Sequence, residues 1–130
     1  MSNLSQPDQE LVEAAKAIIK LRYKENWHHV GAALRTRSGK IFSAVHLEAY
    51  IGRIAVCAEA VALGMAATAG DTEIDAIVAV NEDGNIVSPC GMCREMISDY
   101  SPAAKVIIVR EGQASPVPVL ELLPEKYHRS

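Results

Sequence analysis

All three cysteines of the 130-residue chain lie in two short stretches that one metal ion could join. Cys57-Ala58-Glu59 is the first stretch and Pro89-Cys90-Gly91-Met92-Cys93 is the second. In a Cys-x-x-Cys at a helix start, both sulfurs lie one turn apart on the same face, and the N-terminal dipole favours thiolates. A fold that uses this pattern must bring two separate helix starts to one point.

The three cysteines suit a tetrahedral zinc with one open position. Cys90 and Cys93 supply two ligands, Cys57 supplies a third, and Glu59 can face the fourth position without binding the metal. Three protein ligands and an open position are typical of catalytic zinc, whereas four ligands are typical of structural zinc. The pattern therefore favours catalysis.

Other interpretations remain open at this point. Cys90 and Cys93 alone would also fit a structural zinc or a redox pair, and Glu59 alone would fit a solvated helix carboxylate. A histidine could also provide a fourth ligand and close the site; the candidates are His28, His29, His46 and His128.

Size and charge narrow the class of partner. At 130 residues and 14.0 kDa, the chain is expected to form a single domain over residues 1–130. A net charge of -3 and a pI near 5.8 give no basic field for nucleic acid. We expect a small uncharged or cationic substrate and no nucleic-acid partner.

The expected compartment is the cytoplasm. The first five residues lack the basic and apolar regions of a signal peptide, and no apolar run approaches the roughly 20 residues that span a bilayer. We therefore expect no membrane partner. In a reducing compartment, an odd count of three cysteines favours metal binding or redox chemistry over disulfides.

Hydrophobic patterning predicts three helices. Apolar residues repeat at helical spacing from Pro7 to Tyr23, an Ala-rich apolar stretch runs from Cys57 to Ala69, and Pro89 opens a helix from Cys90 to about Tyr100. A last helical turn is expected over Val119 to Leu123. Both cysteine stretches thus fall where a loop enters a helix.

Strands are predicted between these helices. Val30 to Leu34 and Lys40 to Leu47 form a hairpin around Ser38-Gly39, and two short apolar strands cover Asp75 to Val80 and Lys105 to Arg110. Prolines 116 and 118 are expected to break the segment that follows. This order of elements predicts a three-layer α/β/α domain with a mixed sheet.

Five stretches give the chain a resemblance to the small, homotetrameric cytidine deaminase family, and within it to the branch of bacterial blasticidin S deaminases. The Cys-Ala-Glu and Pro-Cys-x-x-Cys motifs carry the zinc deaminase signature. The resemblance implies a mixed five-stranded sheet and one zinc per chain. The stretches lie within residues 28–127: Val30 to Leu34, Ala44 to Arg53, Cys57 to Glu59, Ser88 to Glu95 and Leu122 to Tyr127.

The resemblance implies hydrolytic deamination of a cytosine ring, with Glu59 as the general acid and base beside zinc. Three thiolates outweigh the charge of zinc, so two helix N-termini and Arg94 are candidates for withdrawing charge from sulfur. Common cytidine deaminases carry Arg directly after the Cys-Ala-Glu, whereas this chain has Ala60. Taken alone, Arg94 would more ordinarily be a surface charge or a partner of a carbonyl.

The substrate pocket departs from the family pattern. Where many cytidine deaminases place Asn and Glu on the ribose hydroxyls, this chain has His46 and Glu48. His28 matches a Phe that stacks on the pyrimidine, Tyr127 matches an aromatic near the C-terminus, and the main chains of Ala58 and Ser88 would hold the pyrimidine edge. His46 and Tyr127 also suit plain structural roles, in hydrogen bonding and tail packing.

These matches imply blasticidin S as first substrate, and cytidine or deoxycytidine of pyrimidine salvage as second. Glu48 would attract the cationic arm of blasticidin S, and a partly charged His46 could pair with its carboxylate. The family resemblance also implies a homotetramer, with Tyr127 reaching a neighbour's site. A zinc-stabilised binding module without catalysis is the alternative of another class.

Overall fold

A computed structural model of the chain describes residues 4–129. Residues 1–3, on which part of the expectation about a signal peptide rests, lie outside the described residues. In chain order, the helices and strands are α1 (Gln6–Arg22), β1 (Val30–Thr36), β2 (Ile41–Val45), α2 (Ala58–Thr68), β3 (Ile74–Asn81), β4 (Ile86–Val87), α3 (Gly91–Tyr100), β5 (Lys105–Arg110) and β6 (Gln113–Pro118). Short 3-10 helices cover Gly52–Ile54 and Val119–Leu122.

Helix α1 begins where the sequence indicates. Ser5 is the N-cap, and its side-chain oxygen accepts a hydrogen bond from the N–H of Asp8 at 3.3 Å. Pro7 occupies the first turn, where its missing N–H costs nothing. Leu11, Ala15 and Ile19 are buried on one face of the helix. The helix predicted over Pro7 to Tyr23 is thereby confirmed.

The sheet is mixed, as predicted. Its strands follow the order β2-β1-β3-β5-β6, in which β3 and β5 are parallel and the other neighbours are antiparallel. This path has five strands, the number that the family resemblance implies, although the edge strand β6 was not predicted. The two-residue β4 is an addition that pairs with Ala79 and Val80 at the end of β3.

The expectation that Pro116 and Pro118 break the chain is wrong, because both lie in the edge strand β6. They are paired in register with Ile107 and Lys105 of β5. Alternate residues of an antiparallel edge strand point their N–H groups away from the neighbour, so prolines two positions apart can both occupy sites that donate no ladder hydrogen bond.

Helices cover both faces of the sheet, which confirms the three-layer α/β/α architecture. On one face, α1 packs through Leu11 and Ile19 on Val78 and Ile107. On the other face, α2 and α3 pack through residues such as Leu63 and Ile97 on a second core cluster. Among residues 4–129, no helix combines the length and the apolar character that crossing a membrane requires.

Candidate active site

The starts of α2 and α3 carry the three cysteines. Cys57 is the N-cap residue of α2 and Cys90 is the N-cap residue of α3. Cys93 lies in the first turn of α3 and is 2% exposed. All three are free thiols, so each sulfur is available to a metal.

The three sulfurs converge as the sequence predicts. Their Sγ atoms all lie within 4.8 Å of one another, and those of Cys57 and Cys90 are 3.5 Å apart. Tetrahedral zinc with Zn–S bonds of about 2.3 Å needs sulfurs about 3.8 Å apart. Within residues 4–129, no histidine joins this group. The donor set therefore fits zinc with three protein ligands, and the closed four-ligand alternative finds no support.

Burial and neighbouring groups set the pKa values of the three thiols. Burial, together with the charges of Glu59 and the other thiols, raises the pKa of Cys93 far above its ordinary value. Burial also raises the pKa of Cys57. For Cys90, burial works in the same direction, but hydrogen bonds, led by one from the main chain of Cys93, leave its pKa lowered. Binding a dication releases the remaining thiol protons, as expected of a thiolate site.

Glu59 lies in the first turn of α2 and is only 6% exposed. Burial raises the pKa of its carboxyl group, and a hydrogen bond from its own main-chain N–H partly opposes this shift. A solvated helix carboxylate would not be buried in this way. A buried carboxyl group with a raised pKa is a candidate for proton transfer.

A cavity of about 210 Å³ is bordered by Cys57, Cys90 and Glu59. This volume is below the roughly 300–1,000 Å³ typical of ligand pockets, so one chain encloses only part of a ligand, on the scale of a single ring. Six residues expected at the site line it, namely His46, Cys57, Ala58, Glu59, Ser88 and Cys90. The sequence reasoning missed Val30, Ala55, Val56 and Val87, which complete the lining.

His46 forms one wall of this cavity and is tied to the segment before β1. Its Nδ1 accepts a hydrogen bond from the main-chain N–H of His29 at 2.8 Å, while Nε2 lies 3.5 Å from Oε2 of Glu48. Nδ1 of His28 donates to the main-chain carbonyl of His46 at 2.8 Å. The main chain of Ala49 also donates to Glu48 and lowers the pKa of that carboxyl group.

These hydrogen bonds orient the ring of His46. Its Nδ1 accepts the N–H of His29, which leaves Nε2 as the ring nitrogen that faces Glu48. The main-chain N–H of His29 is a further contributor that sequence reasoning missed. Its position immediately before the strand that carries Val30 is the signal that could have revealed it.

Residues 5–110 match the protein family described as the cytidine and deoxycytidylate deaminase zinc-binding region. The chain belongs to this family. Zinc is accordingly the metal that Cys57, Cys90 and Cys93 are placed to hold.

Individual members of this deaminase family are similar over most of the chain. The blasticidin-S deaminase of Bacillus cereus is 51% identical, over 98% of this chain and 97% of its own length. The cytidine deaminase of Halalkalibacterium halodurans is 34% identical over 73% of this chain and 74% of its own length. The crystal structure of the Burkholderia pseudomallei cytidine deaminase, at 32% identity, covers 95% of this chain and all of its own with a TM-score of 0.79.

In this deaminase, Arg94 contacts main-chain carbonyls. Its Nε donates to the carbonyl of Pro89 at 2.9 Å, and Nη1 donates to that of Leu122 at 3.4 Å. The first of these carbonyls belongs to the residue before Cys90. Arg94 therefore fixes the loop that carries a metal ligand, and any effect of its charge on the sulfurs adds to that role.

Tyr127 lies away from the cavity of its own chain. The side chain is 79% exposed and borders a surface depression beside the outer part of α3. Lys126, next to it, is anchored: its Nζ lies 2.6 Å from both Ser98 Oγ and Asp99 Oδ1. The tail is thus held on α3 with its aromatic ring facing outward.

Proposed function

We propose that the chain is a zinc-dependent aminohydrolase that deaminates the cytosine ring of a nucleoside-type small molecule, with blasticidin S as its first substrate. One observation carries this proposal: the buried carboxyl group of Glu59 and two of the three cysteines of the metal site line the same cavity. The 51% identity to a blasticidin-S deaminase supports the choice of substrate.

The reaction replaces the amino group on C4 of cytosine by oxygen, so that one water is consumed and uracil and ammonia are formed. Zinc, when bound by Cys57, Cys90 and Cys93, supplies Lewis-acid activation of water. A carboxylate oxygen of Glu59 takes a proton from the water and passes it to ring N3. Glu59 then takes the remaining proton from the hydroxyl added at C4 and delivers it to the departing amine, which leaves as ammonia and restores the carboxylate.

Main-chain groups at the cavity would hold the ring. Ala58 is the first residue of α2, where N–H groups have no partner within the helix, and it is fully buried at the lining. Ser88 lines the same cavity, two residues before Cys90. These two residues are the proposed contacts to the pyrimidine edge, and His28 is the proposed neighbour of the ring face.

Assembly and location complete the proposal. Tyr127 points outward from an anchored tail, and a single chain encloses only a small cavity. A homotetramer in which Tyr127 closes a neighbour's site would account for both features. The three free thiols suit a reducing cytoplasm.

A cytidine or deoxycytidine deaminase of pyrimidine salvage is the second candidate. The 34% identity to a cytidine deaminase favours it, together with a carboxylate, Glu48, at the position that meets ribose hydroxyls in that family by resemblance. A zinc-stabilised binding module would have no use for the buried carboxyl group of Glu59.

Competition between substrates tests the choice. Blasticidin S and cytidine are supplied together to the zinc-loaded protein, and the loss of each cytosine chromophore is followed after chromatographic separation. We expect a higher kcat/KM for blasticidin S. Preference for cytidine would transfer the assignment to the second candidate, and failure to deaminate any cytosine compound would refute the deaminase proposal itself.

A further inference from the structure

The segment that follows β6 packs on helix α3, which carries two of the three metal ligands. It begins with the 3-10 helix Val119–Leu122 and continues to Lys126. Val119 is fully buried, and its N–H donates to the carbonyl of Ala104 at 2.9 Å. We call residues 119–126 the C-terminal strap. Its start is fixed to the core before it reaches the side chains of α3.

Arg94 joins the strap to the loop that carries Cys90. Its Nε donates to the carbonyl of Pro89 at 2.9 Å, and its Nη1 donates to that of Leu122 at 3.4 Å. Pro89 directly precedes Cys90 in the chain, and Leu122 packs on the core cluster that includes Cys93. One guanidinium group therefore bridges the metal loop and the strap.

Lys126 holds the strap about one helical turn further along α3. Its Nζ lies 2.6 Å from both Ser98 Oγ and Asp99 Oδ1, and 3.8 Å from Oε2 of Glu95. Only 6% of the Lys126 side chain is exposed, so solvent screens these contacts less than those of a surface lysine. The strap is thus held on α3 at two places.

This arrangement bears on how firmly the site keeps its ion. The sulfurs belong to the starts of two helices, so zinc can leave when the loop of Cys90 moves away from Cys57. The Pro89 carbonyl restrains that loop through its hydrogen bond from Arg94. The second acceptor, on the strap, fixes the direction of the same guanidinium group, and groups behind metal ligands commonly alter metal affinity by 10- to 100-fold.

We propose that the C-terminal strap slows the release of zinc. Through the carbonyl of Leu122 it orients Arg94, and Arg94 in turn holds the loop of Cys90. Lys126 keeps the strap in place on α3. Arg94 and Lys126 are thus positioning residues that act on the metal through a ligand loop. The inference concerns the retention of zinc and goes beyond the proposed deamination.

Variants of Arg94 separate positioning from an effect of charge. Arg94→Met removes both hydrogen bonds and the charge. Arg94→Lys keeps the charge, but its single ammonium group lacks the planar fork that reaches two carbonyls from separate nitrogens. We expect both variants to release zinc about tenfold faster than the wild type or more. Release at the wild-type rate from Arg94→Lys would assign the effect to charge and overturn the positioning role.

Zinc release is measured by mixing the zinc-loaded protein with an excess of a chromogenic chelator, at a chelator concentration above which the rate no longer rises. Lys126→Met tests the strap itself, because it leaves Arg94 and the metal loop unaltered. We expect release about threefold faster or more. Tyr127→Ala is the matched control, since it alters the same tail and retains the anchor, and it should release zinc at the wild-type rate.

A wild-type rate of release from Lys126→Met would overturn the inference. Equal acceleration by Tyr127→Ala would also overturn it, because the effect would then belong to the tail in general and not to the anchor. The Lys126 and Tyr127 variants decide the role of the strap even if an Arg94 variant does not fold. Since the assay contains no substrate, its outcome is separate from that of the proposed function, which fails only if no cytosine compound is deaminated.

Discussion

Gly31 of β1 is the position where the structure predicts the sharpest stability change. A Cβ added there would lie 2.6 Å from the main-chain oxygen of Ala15 and 2.8 Å from Cβ of Ile19, both on α1. Ordinary contacts to a Cβ begin near 3.4 Å, so helix and sheet would have to separate by several tenths of an ångström. The contact with main-chain oxygen cannot be relieved by a rotamer change.

The magnitude for Gly31→Ala follows from two opposing effects. Overpacking a filled core costs about 1–3 kcal/mol, and the rigid contact with Ala15 puts this case at the upper end. Replacing glycine by alanine regains about 0.5–1 kcal/mol of chain entropy. We therefore expect a net loss of about 2 kcal/mol in the free energy of unfolding.

Urea unfolding at equal protein and zinc concentrations measures the effect, because bound metal and association both shift the apparent stability. Gly64→Ala is the matched control, since it lies on an exposed face of α2 and an added Cβ would meet nothing within 4 Å. It should be as stable as the wild type or slightly more stable. A free energy of unfolding for Gly31→Ala within about 0.5 kcal/mol of the wild-type value would refute the reasoning.

Three further predictions concern the metal site, the hydrogen-bonded carboxylate of Asp71 and the C-terminal tail. Cys57→Ala should lose most of its zinc by elemental analysis, because two thiolates remain of three; full retention would exclude the three-ligand site. Thr36 and Ser38 donate to Asp71 and lower its pKa. A carboxyl with a lowered folded pKa stabilises the fold above its unfolded pKa of about 3.9, and this contribution is lost as the pH falls through the folded value. The stability advantage of wild type over Asp71→Asn should therefore be full at pH 7 and shrink below about pH 4 in urea titrations; a difference independent of pH would count against it. Lys126→Met should release the tail from α3 and speed tail cleavage in limited proteolysis, since Nζ is the anchor, and cleavage at the wild-type rate would show that other contacts hold it.

The metal site could be predicted from the sequence because its determinants are local. A cysteine pair at helical spacing after Pro89 determines both the helix start and the direction of two sulfurs. Cys57 likewise marks the start of an apolar helix. Only the meeting of the two helix starts required the fold: α2 leads from β2 to β3 and α3 leads on to β5, and these three strands run in the same direction.

Edge strand β6 could not be predicted from the sequence because proline disrupts a central strand and is tolerated in an edge strand. In a central strand Pro116 would remove a ladder hydrogen bond, whereas on an edge it costs little. The sequence alone does not reveal that β6 has a neighbour on one side only. A prediction that treats each proline as a break therefore omits this strand.

The orientation of the His46 ring depends on contacts with other parts of the chain. Its partners are the main chain of His29 and the side chain of Glu48, and the first of these lies 17 residues away. Almost every residue has a main-chain N–H, so no residue type in the sequence indicates this hydrogen bond. The close approach at Gly31 escaped prediction for a similar reason, because the obstructing atom belongs to the main chain of α1.

Glu59→Gln tests the central claim most directly, because the amide preserves the shape of the buried side chain and removes its capacity to shuttle protons. Zinc content, thermal unfolding and deamination of blasticidin S and cytidine are measured on one preparation, with Glu10→Gln on the exposed face of α1 as the matched control. We predict zinc and stability at wild-type levels in both variants, and a loss of turnover of about 100- to 10,000-fold in Glu59→Gln alone. Turnover within a few-fold of the wild type, or a loss of zinc together with stability, would contradict the catalytic role of Glu59.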